Sequence, residues 1–239
     1  MFPMTPISVG EGEAGLSYSG VYVAAERDRV LAELSELRFT GFVGPQEKSW
    51  VVAVAGNPLG KVARKKRRIA DVARELAASL ETVTLAVEVN KDTRLRLWLF
   101  DGVDTLPPYD SNPPDPEGEG GLRLDDFGNP VMTGVFVDND DVAQSLLTTF
   151  HIEDEDEKLA ELLDDDLGED TSESERLTEI LRVLALPTWI VSSDSLPRRV
   201  PGGPDKDAFT RLGAGKPGVQ GRVAEALTKP ARPKRTKDR

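Results

Sequence analysis

The chain has 239 residues, of which 38% are hydrophobic and 6% aromatic, and a formal net charge of −12 at pH 7. It contains no cysteine and a single histidine, His151, which excludes disulfides, thiolate metal sites and multi-histidine metal centres. The N-terminus lacks the basic region and apolar run of a signal peptide, and no stretch reaches the roughly eighteen apolar residues of a membrane span. We therefore expect a cytoplasmic protein that does not contact a membrane.

The first hundred residues alternate between strand-like and helix-like patterns. Residues 1–15 carry Pro, Gly and Glu with little to bury, and we expect them to be disordered. The segment Tyr18–Ala25 favours a strand, and apolar residues at helical spacing in 26–37 favour a helix. A second helix is predicted over 58–80, with Asn57 as its N-cap. Four further segments have strand periodicity: 39–45, 49–56, 82–89 and 93–100.

The resulting order β-α-β-β-α-β-β predicts an α+β fold. It describes a sheet with helices on one face, compatible with a ferredoxin-like arrangement. Residues 101–134 are rich in Pro, Gly and Asp, and we expect them to form a long loop. Residues 138–186 are expected to form an acidic helical segment, in which Ser172 and Glu175 have the spacing of a helix capping box.

Charge is distributed unevenly along the rest of the chain. Residues 138–179 include seventeen acidic side chains and two basic ones, whereas 198–239 include twelve basic and four acidic ones. Between them, Thr188–Ser193 has the pattern of a strand. We expect a single α+β domain over 16–200, followed by a basic, disordered tail over 201–239.

A basic run lies in the second predicted helix. At about 100° per residue, four cations share the helix face opposite the apolar stripe: Lys61, Arg64, Arg67 and Arg68. Clustered cations can follow the phosphates of a nucleic acid. The alternative is that 61–68 is a solvated helix face, or one paired internally with the acidic segment, because no aromatic residues are interleaved with the cations.

The motifs usual for catalysis or cofactor binding are incomplete. Two segments match G-x-G-x-x-G, at 10–15 and 213–218, but neither follows a predicted strand and opens a helix, so we interpret both as linkers. The acidic clusters lack the ligand spacing of an EF-hand, and no nucleophile-elbow pattern accompanies His151. The sequence therefore predicts a protein that is not an enzyme and that carries no cofactor or metal.

The segment LRLWLFDGVDTLPPYDSNPPD, residues 95–115, joins a strand to a strip of prolines and aspartates with one tyrosine. We expect 101–115 to be presented at a sheet edge, where the three prolines after Tyr109, namely Pro113, Pro114 and Pro116, prevent it from continuing as a ladder strand. The candidate partner-binding residues of this strip are Asp104, Tyr109, Asp110 and Asp115. The alternative is that the strip only packs over the end of the sheet, with Tyr109 buried.

This segment resembles a recurring pattern in a family of uncharacterised small bacterial proteins, in which a hydrophobic strand leads through a polar turn to a Tyr-x-Ser-x-Pro-like strip. The corresponding residues are Leu97–Phe100, the turn Asp101–Asp104, and then Tyr109, Ser111, Asn112 and Pro113. Ser174–Pro187 is similar to the end of that pattern. There the family usually has Arg-His and Gly-Leu-Pro, where this chain has Arg176-Leu177 and Ala185-Leu186-Pro187. Over residues 17–195 the resemblance implies a cytoplasmic, immunity-protein-like domain that is not an enzyme.

These patterns together predict a non-catalytic bacterial protein-binding module. The leading interpretation is an immunity-like inhibitor whose acidic surface captures a partner protein with a basic surface, because complementary charge speeds encounter. The alternative is a nucleic-acid-associated regulator that uses a basic helix over 61–68 and the basic C-terminal tail. The two interpretations require partners of opposite charge.

Overall fold

A computed structural model describes the chain in six segments: 15–112, 122–124, 130–132, 138–153, 155–164 and 172–213. The predictions for residues 1–14, for Asp115 and for the tail beyond 213 lie outside these segments.

The described segments contain ten strands and five α-helices. The strands are β1 Tyr18–Val23, β2 Gly41–Glu47, β3 Trp50–Ala55, β4 Val83–Asn90, β5 Arg94–Asp101, β6 Asp104–Thr105, β7 Tyr109–Asp110, β8 Leu122–Leu124, β9 Pro130–Met132 and β10 Thr210–Leu212. The helices are α1 Arg27–Glu36, α2 Ile69–Leu80, α3 Asn139–Phe150, α4 Asp156–Leu163 and α5 Glu173–Val183.

One antiparallel sheet of eight strands organises the fold. Its order is β10-β2-β3-β1-β4-β5-β6, and β7 also pairs with β5, beyond β6 along the same edge. Strands β8 and β9 form a separate hairpin. The inner order β2-β3-β1-β4, with α1 and α2 as the crossovers, is the ferredoxin-like arrangement. The predicted α+β fold and its β-α-β-β-α-β-β order are therefore confirmed.

The hairpins of the sheet follow from local backbone chemistry. The three residues Lys91, Asp92 and Thr93 connect β4 to β5. Lys91 and Asp92 have φ of 52° and 57°, the left-handed conformation that tight hairpin turns require. In β2 the register with β3 shifts between Val43 and Gln46. Pro45 lies at this irregularity, one of the few places where a strand tolerates a residue without an N–H.

Helices cover both faces of the sheet, because alternate side chains of each strand point in opposite directions. On the first face, Val21 and Val23 of β1 pack with α1 and α2, which share this face as the sequence predicted. On the second face, Tyr18 and Tyr22 of the same strand pack with α3, α4 and α5. The acidic helical segment, whose position the sequence left open, is therefore the third layer of an α/β/α sandwich.

The second helix begins eleven residues later than predicted, at Ile69 instead of Pro58. The residues before it form a loop, in which the N–H of Val62 donates to the carbonyl of Arg67 at 2.8 Å. Asp71 accepts a hydrogen bond from the backbone N–H of Arg68 at 3.1 Å and so starts the helix. The backbone hydrogen bonds of this loop take the place of the bonds of a helix, although Lys and Arg residues by themselves favour the helix.

Two predictions for the C-terminal part are wrong. The segment expected to be a strand at Thr188–Ser193 is instead part of a 3₁₀ helix, Trp189–Ser195. Residues 201–213, assigned to the disordered tail, belong to the fold. The Arg27 guanidinium donates to the carbonyl of Ala208 at 3.1 Å, and Phe209 packs edge-on against the Trp189 ring at 5.3 Å between centroids. These contacts place β10 beside β2.

Candidate partner-binding surfaces

The strip that follows β5 lies at the sheet edge, as predicted, but it pairs with β5 there. Thr105 is opposite Phe100, and Tyr109 is opposite Leu97. Pro107 and Pro108 separate the two short strands without ending the pairing. The expectation that the strip cannot act as a ladder strand is therefore wrong for residues 104–110, while Pro113, Pro114 and Pro116, on which it depended, lie outside the described segments. Prolines occur in edge strands because only one side of such a strand has to donate hydrogen bonds.

Tyr109 is a core residue, with 2% of its surface exposed. Its hydroxyl accepts a hydrogen bond from Nη1 of Arg176, whose guanidinium carbon lies 6.0 Å from the centre of the Tyr109 ring. The prediction of an exposed partner-contacting tyrosine is therefore corrected, and the structure agrees with the alternative of a buried cover over the sheet. An aromatic side chain held by a buried arginine cannot meet a partner without unfolding the strip.

The carboxylates of the strip differ from one another in their availability. Asp110 accepts bonds from Nε and Nη2 of Arg94 at 2.7 and 2.5 Å, and this bidentate contact raises the pKa of Arg94. Asp104 is exposed on β6. Asp115 lies outside the described segments. Of the four residues predicted as a partner-binding group, the structure therefore offers only Asp104 as an exposed charge.

A buried polar network fixes α5 to the second face. Arg176 lies 3.5 Å from the Glu173 carboxylate, measured from Nε to Oε2, and both side chains are buried. The hydroxyl of Tyr18 donates to Oγ of Ser174 at 2.9 Å. Burial raises the pKa of Tyr18, and the bond to Ser174 offsets part of that rise. These buried polar side chains of the second face thus position α5.

The outer surface of α3 and α4 carries the acidic charge of the third layer. Seven carboxylates are exposed there: Asp138, Asp140, Asp141, Glu153, Glu157, Glu161 and Asp164. We call these residues the acidic face. The opposite sides of the two helices carry Val142, Leu146, Leu159 and Leu163, all buried against the sheet. Helix amphipathicity therefore presents the acidic charge outward.

A pair of stacked aromatic rings lies at the C-terminal end of α3. Trp50 begins β3, Phe150 ends α3, and their rings stack with centroids 5.3 Å apart and an interplanar angle of 18°. Both rings are half-buried, and exposed His151 and Glu153 follow directly. This pair was not predicted from the sequence. The only sequence signal was a tryptophan beside the turn of the β2–β3 hairpin, where core side chains are uncommon.

The basic run forms a loop that joins β3 to α2. Five of its side chains are exposed: Lys61, Arg64, Lys65, Lys66 and Arg68. We call these five residues the basic loop. Arg67 turns back instead and pairs with Glu75 at 2.6 Å. The predicted helix face of Lys61, Arg64, Arg67 and Arg68 is therefore wrong, because α2 has not yet begun at these positions and Arg67 is withdrawn from the surface.

The described residues give no indication of a metal centre, since they contain no group of three or more His, Asp or Glu side chains placed to hold an ion. None of the described helices has the length and apolar character required to cross a bilayer. No protein-family model, curated protein or solved structure matches the chain. The resemblance to small immunity-like bacterial proteins therefore stays a prediction.

Proposed function

We propose that the protein is a non-catalytic module that binds a basic partner protein, in the manner of an immunity-like inhibitor. The surface that would do so is the acidic face together with the Trp50–Phe150 pair. The observation that carries the proposal is a half-buried aromatic stack at the C-terminal end of α3, a helix that together with α4 exposes the carboxylates of the acidic face. Tyr109, the anchor expected from the sequence, is replaced in this role by Trp50.

The aromatic stack supplies what a charged surface alone lacks. Binding free energy at protein interfaces is concentrated in a few large side chains, with Trp prominent among them. Trp50 is already held in place by Phe150 at 5.3 Å. A side chain that is ordered before binding loses little rotamer entropy when a partner covers it. The surrounding carboxylates would then form the polar rim.

Charge on the acidic face favours a partner of opposite sign. Lys158 is the only lysine or arginine in the described part of 138–164, and it lies 3.9 Å from Glu155. An almost uniform negative surface attracts basic proteins and repels acidic ones, which raises the association rate more than it lowers the dissociation rate. Binding through this surface should weaken as ionic strength rises.

Affinity isolation from the native host tests the proposal. The full chain and a Glu157→Gln/Glu161→Gln variant serve as baits, with Glu36→Gln/Asp207→Asn as a control that removes two exposed carboxylates elsewhere. We expect a basic protein to be retained by the wild type and the control and to be depleted with the acidic-face variant. Equal retention by all three baits would contradict the proposal.

The isolated partner then allows the aromatic anchor to be measured directly. Trp50→Ala is expected to weaken binding about 30-fold or more, the loss typical of a hot-spot residue. Trp98→Ala is the matched control, because Trp98 is a second half-buried tryptophan but packs on the first face. Similar losses of affinity in the two variants, or no loss in Trp50→Ala, would show that Trp50 is not an anchor of the interface.

A further inference from the structure

We infer that the basic loop is a second binding surface, independent of the acidic face, and that it contacts the phosphate backbone of duplex nucleic acid without reading sequence. The loop places five exposed cations within eight residues. Arg38 adds a sixth, since the N–H of Arg64 donates to the carbonyl of the preceding Leu37 at 2.9 Å. This density of positive charge is the electrostatic feature that duplex phosphates require.

The backbone of the loop is held in a fixed shape. The carbonyl of Val62 accepts from the N–H of Thr40 at 2.7 Å, and the N–H of Val62 donates to Arg67 at 2.8 Å. Val62 itself is buried, with 1% of its surface exposed. A loop anchored on both sides presents its cations without a large ordering cost on binding.

Two adjacent lysines of the loop have strained backbone conformations. Lys65 and Lys66 have φ of 60° and 62°, in the left-handed region that side-chain-bearing residues rarely adopt. Such a conformation costs on the order of 1 kcal/mol or more per residue and persists only where its surroundings impose it. Here it exposes two neighbouring ammonium groups at the tip of the loop. Packing gives no reason for this, since both side chains are exposed.

The cations of the basic loop are not neutralised by nearby carboxylates. Glu75 pairs with Arg67, and Asp71 pairs with Arg74 at 3.3 Å while it caps the start of α2. Within the described segments, none of the five side chains of the basic loop forms an ion pair. Their charge is therefore available to a partner.

The acidic face does not cancel this charge, because the two surfaces lie on opposite sides of the sheet. The basic loop leads into α2 on the first face, and the acidic face belongs to α3 and α4 on the second. Two packed layers at about 10 Å each separate them by about 20 Å. That distance exceeds the Debye length of about 8 Å at physiological ionic strength.

The composition of the loop favours nucleic acid over an acidic protein. Every exposed side chain between 61 and 68 is cationic, so the loop lacks the apolar or aromatic anchor that a protein interface needs. Phosphate contacts need only cations, and they carry no sequence information. The absence of an aromatic ring from the loop also favours duplexes over single strands, whose bases bind by stacking.

Fluorescence anisotropy of a labelled random-sequence DNA duplex tests the inference, with the full chain titrated at several salt concentrations. We expect the logarithm of affinity to fall linearly with the logarithm of salt, by about 0.9 for each phosphate contacted. Lys65→Gln/Lys66→Gln should weaken binding and reduce that slope by about 2. Arg198→Gln/Arg199→Gln removes two exposed arginines elsewhere and should change neither.

Three outcomes would overturn the inference. The first is an unchanged affinity and slope in the lysine variant, which would place any DNA binding in another part of the chain, including its basic C-terminal residues. The second is an equal loss in the lysine and arginine variants, which would indicate a general charge effect. The third is loop-dependent binding of poly-glutamate without binding of the duplex, which would indicate an acidic protein as the partner.

Discussion

The two faces of the sheet are covered by helices that are attached in different ways. The first face is held mainly by apolar side chains, and its buried hydrogen bond from Oγ1 of Thr84 to the carbonyl of Ala73 in α2, at 3.0 Å, joins residues only eleven positions apart. The segments that build this face, β1 to β5 with α1 and α2, are continuous in sequence. On the second face, three tyrosine hydroxyls form hydrogen bonds in addition to the apolar contacts. Tyr18 bonds to Ser174, Tyr22 donates to the carbonyl of Pro187 at 2.7 Å, and Tyr109 accepts from Arg176.

The difference shows how a distant segment can be docked in one position. Apolar contact is non-directional, so it favours burial of a helix without fixing where along the sheet the helix lies. Hydrogen bonds between buried groups are directional, and leaving one unmade costs more than making it gains. The three bonds of the second face join residues separated by 67 to 165 positions, and they give the α5 layer its register.

Loss of the Arg176 guanidinium should be among the most damaging single changes to the second face. Arg176→Ala leaves Glu173 buried without its cation and Tyr109 without its donor. We expect it to lower the free energy of unfolding by about 3–5 kcal/mol, measured by urea denaturation. Arg182→Ala on the same helix removes an exposed pair with Glu179 and should cost less than about 1 kcal/mol. Equal effects would mean that the buried network does not hold the second face.

Tyr109→Phe isolates the hydroxyl from the ring. The variant keeps the buried aromatic surface but leaves a buried Arg176 N–H without its acceptor. The free energy of unfolding should fall by about 1–3 kcal/mol. Tyr109→Ala would cost more, about 3–5 kcal/mol, because it also opens a cavity. An unchanged melting temperature in Tyr109→Ala would show that the strip is not part of the core.

Most of the architecture was predictable from sequence because it is encoded locally. The strand and helix order follows from apolar periodicity, and the capping box of α5 was visible as Ser172 and Glu175, whose carboxylate accepts from the Ser172 N–H at 3.0 Å. The loop before α2 was not predictable from the sequence, because Lys and Arg favour helices and Val62 continued the apolar stripe of the predicted helix. Only the tertiary bonds of Val62 to Thr40 and Arg67 reverse that preference.

The candidate surfaces were less predictable, for the same physical reason. A tyrosine among prolines and aspartates has the composition of an exposed contact, and nothing near it in sequence indicates that Arg176 will bury it. The stack of Trp50 on Phe150 joins residues one hundred positions apart. The strongly acidic segment 138–164 was correctly predicted to be helical. Which face of the sheet its helices cover depends on tertiary contacts, which sequence periodicity does not specify.

Alkaline pH should loosen the second face before the first. Burial raises the pKa of Tyr18 and of Tyr22 above the ordinary value of 10.0. The stabilisation by the neutral Tyr18 hydroxyl is therefore complete below pH 10, and it is lost as the pH rises from 10 toward the raised pKa of the folded state. Tyr18→Phe should cost about 1 kcal/mol at pH 7 and should reduce the alkaline loss of stability. The measurement is the melting temperature of each protein from pH 8 to about 11. The same decrease with pH in the wild type and in Tyr18→Phe would contradict this expectation.

The smallest expected effect concerns the basic loop on the first side of the molecule. Lys66→Gly removes the left-handed strain at φ of 62°, and we expect a gain of roughly 0.5–1 kcal/mol after the added entropy of glycine is subtracted. Lys48→Gly, at a φ of 55° in the β2–β3 turn, is the control for strain outside the basic loop. Stabilisation at Lys48 together with destabilisation at Lys66 would show that the strain at Lys66 is compensated by contacts of its side chain.

The short outermost strands also bear on the resistance of the protein to aggregation. Inner strands of six to eight residues would offer long rows of unpaired backbone groups if they lay at an edge. In the described sheet the margins are instead formed by β10, with three residues, and by β6 and β7, with two residues each on either side of Pro107 and Pro108. Such margins give a second chain too little backbone to extend the sheet. The strip beside β5 thereby limits strand-to-strand polymerisation even though it meets no partner through Tyr109.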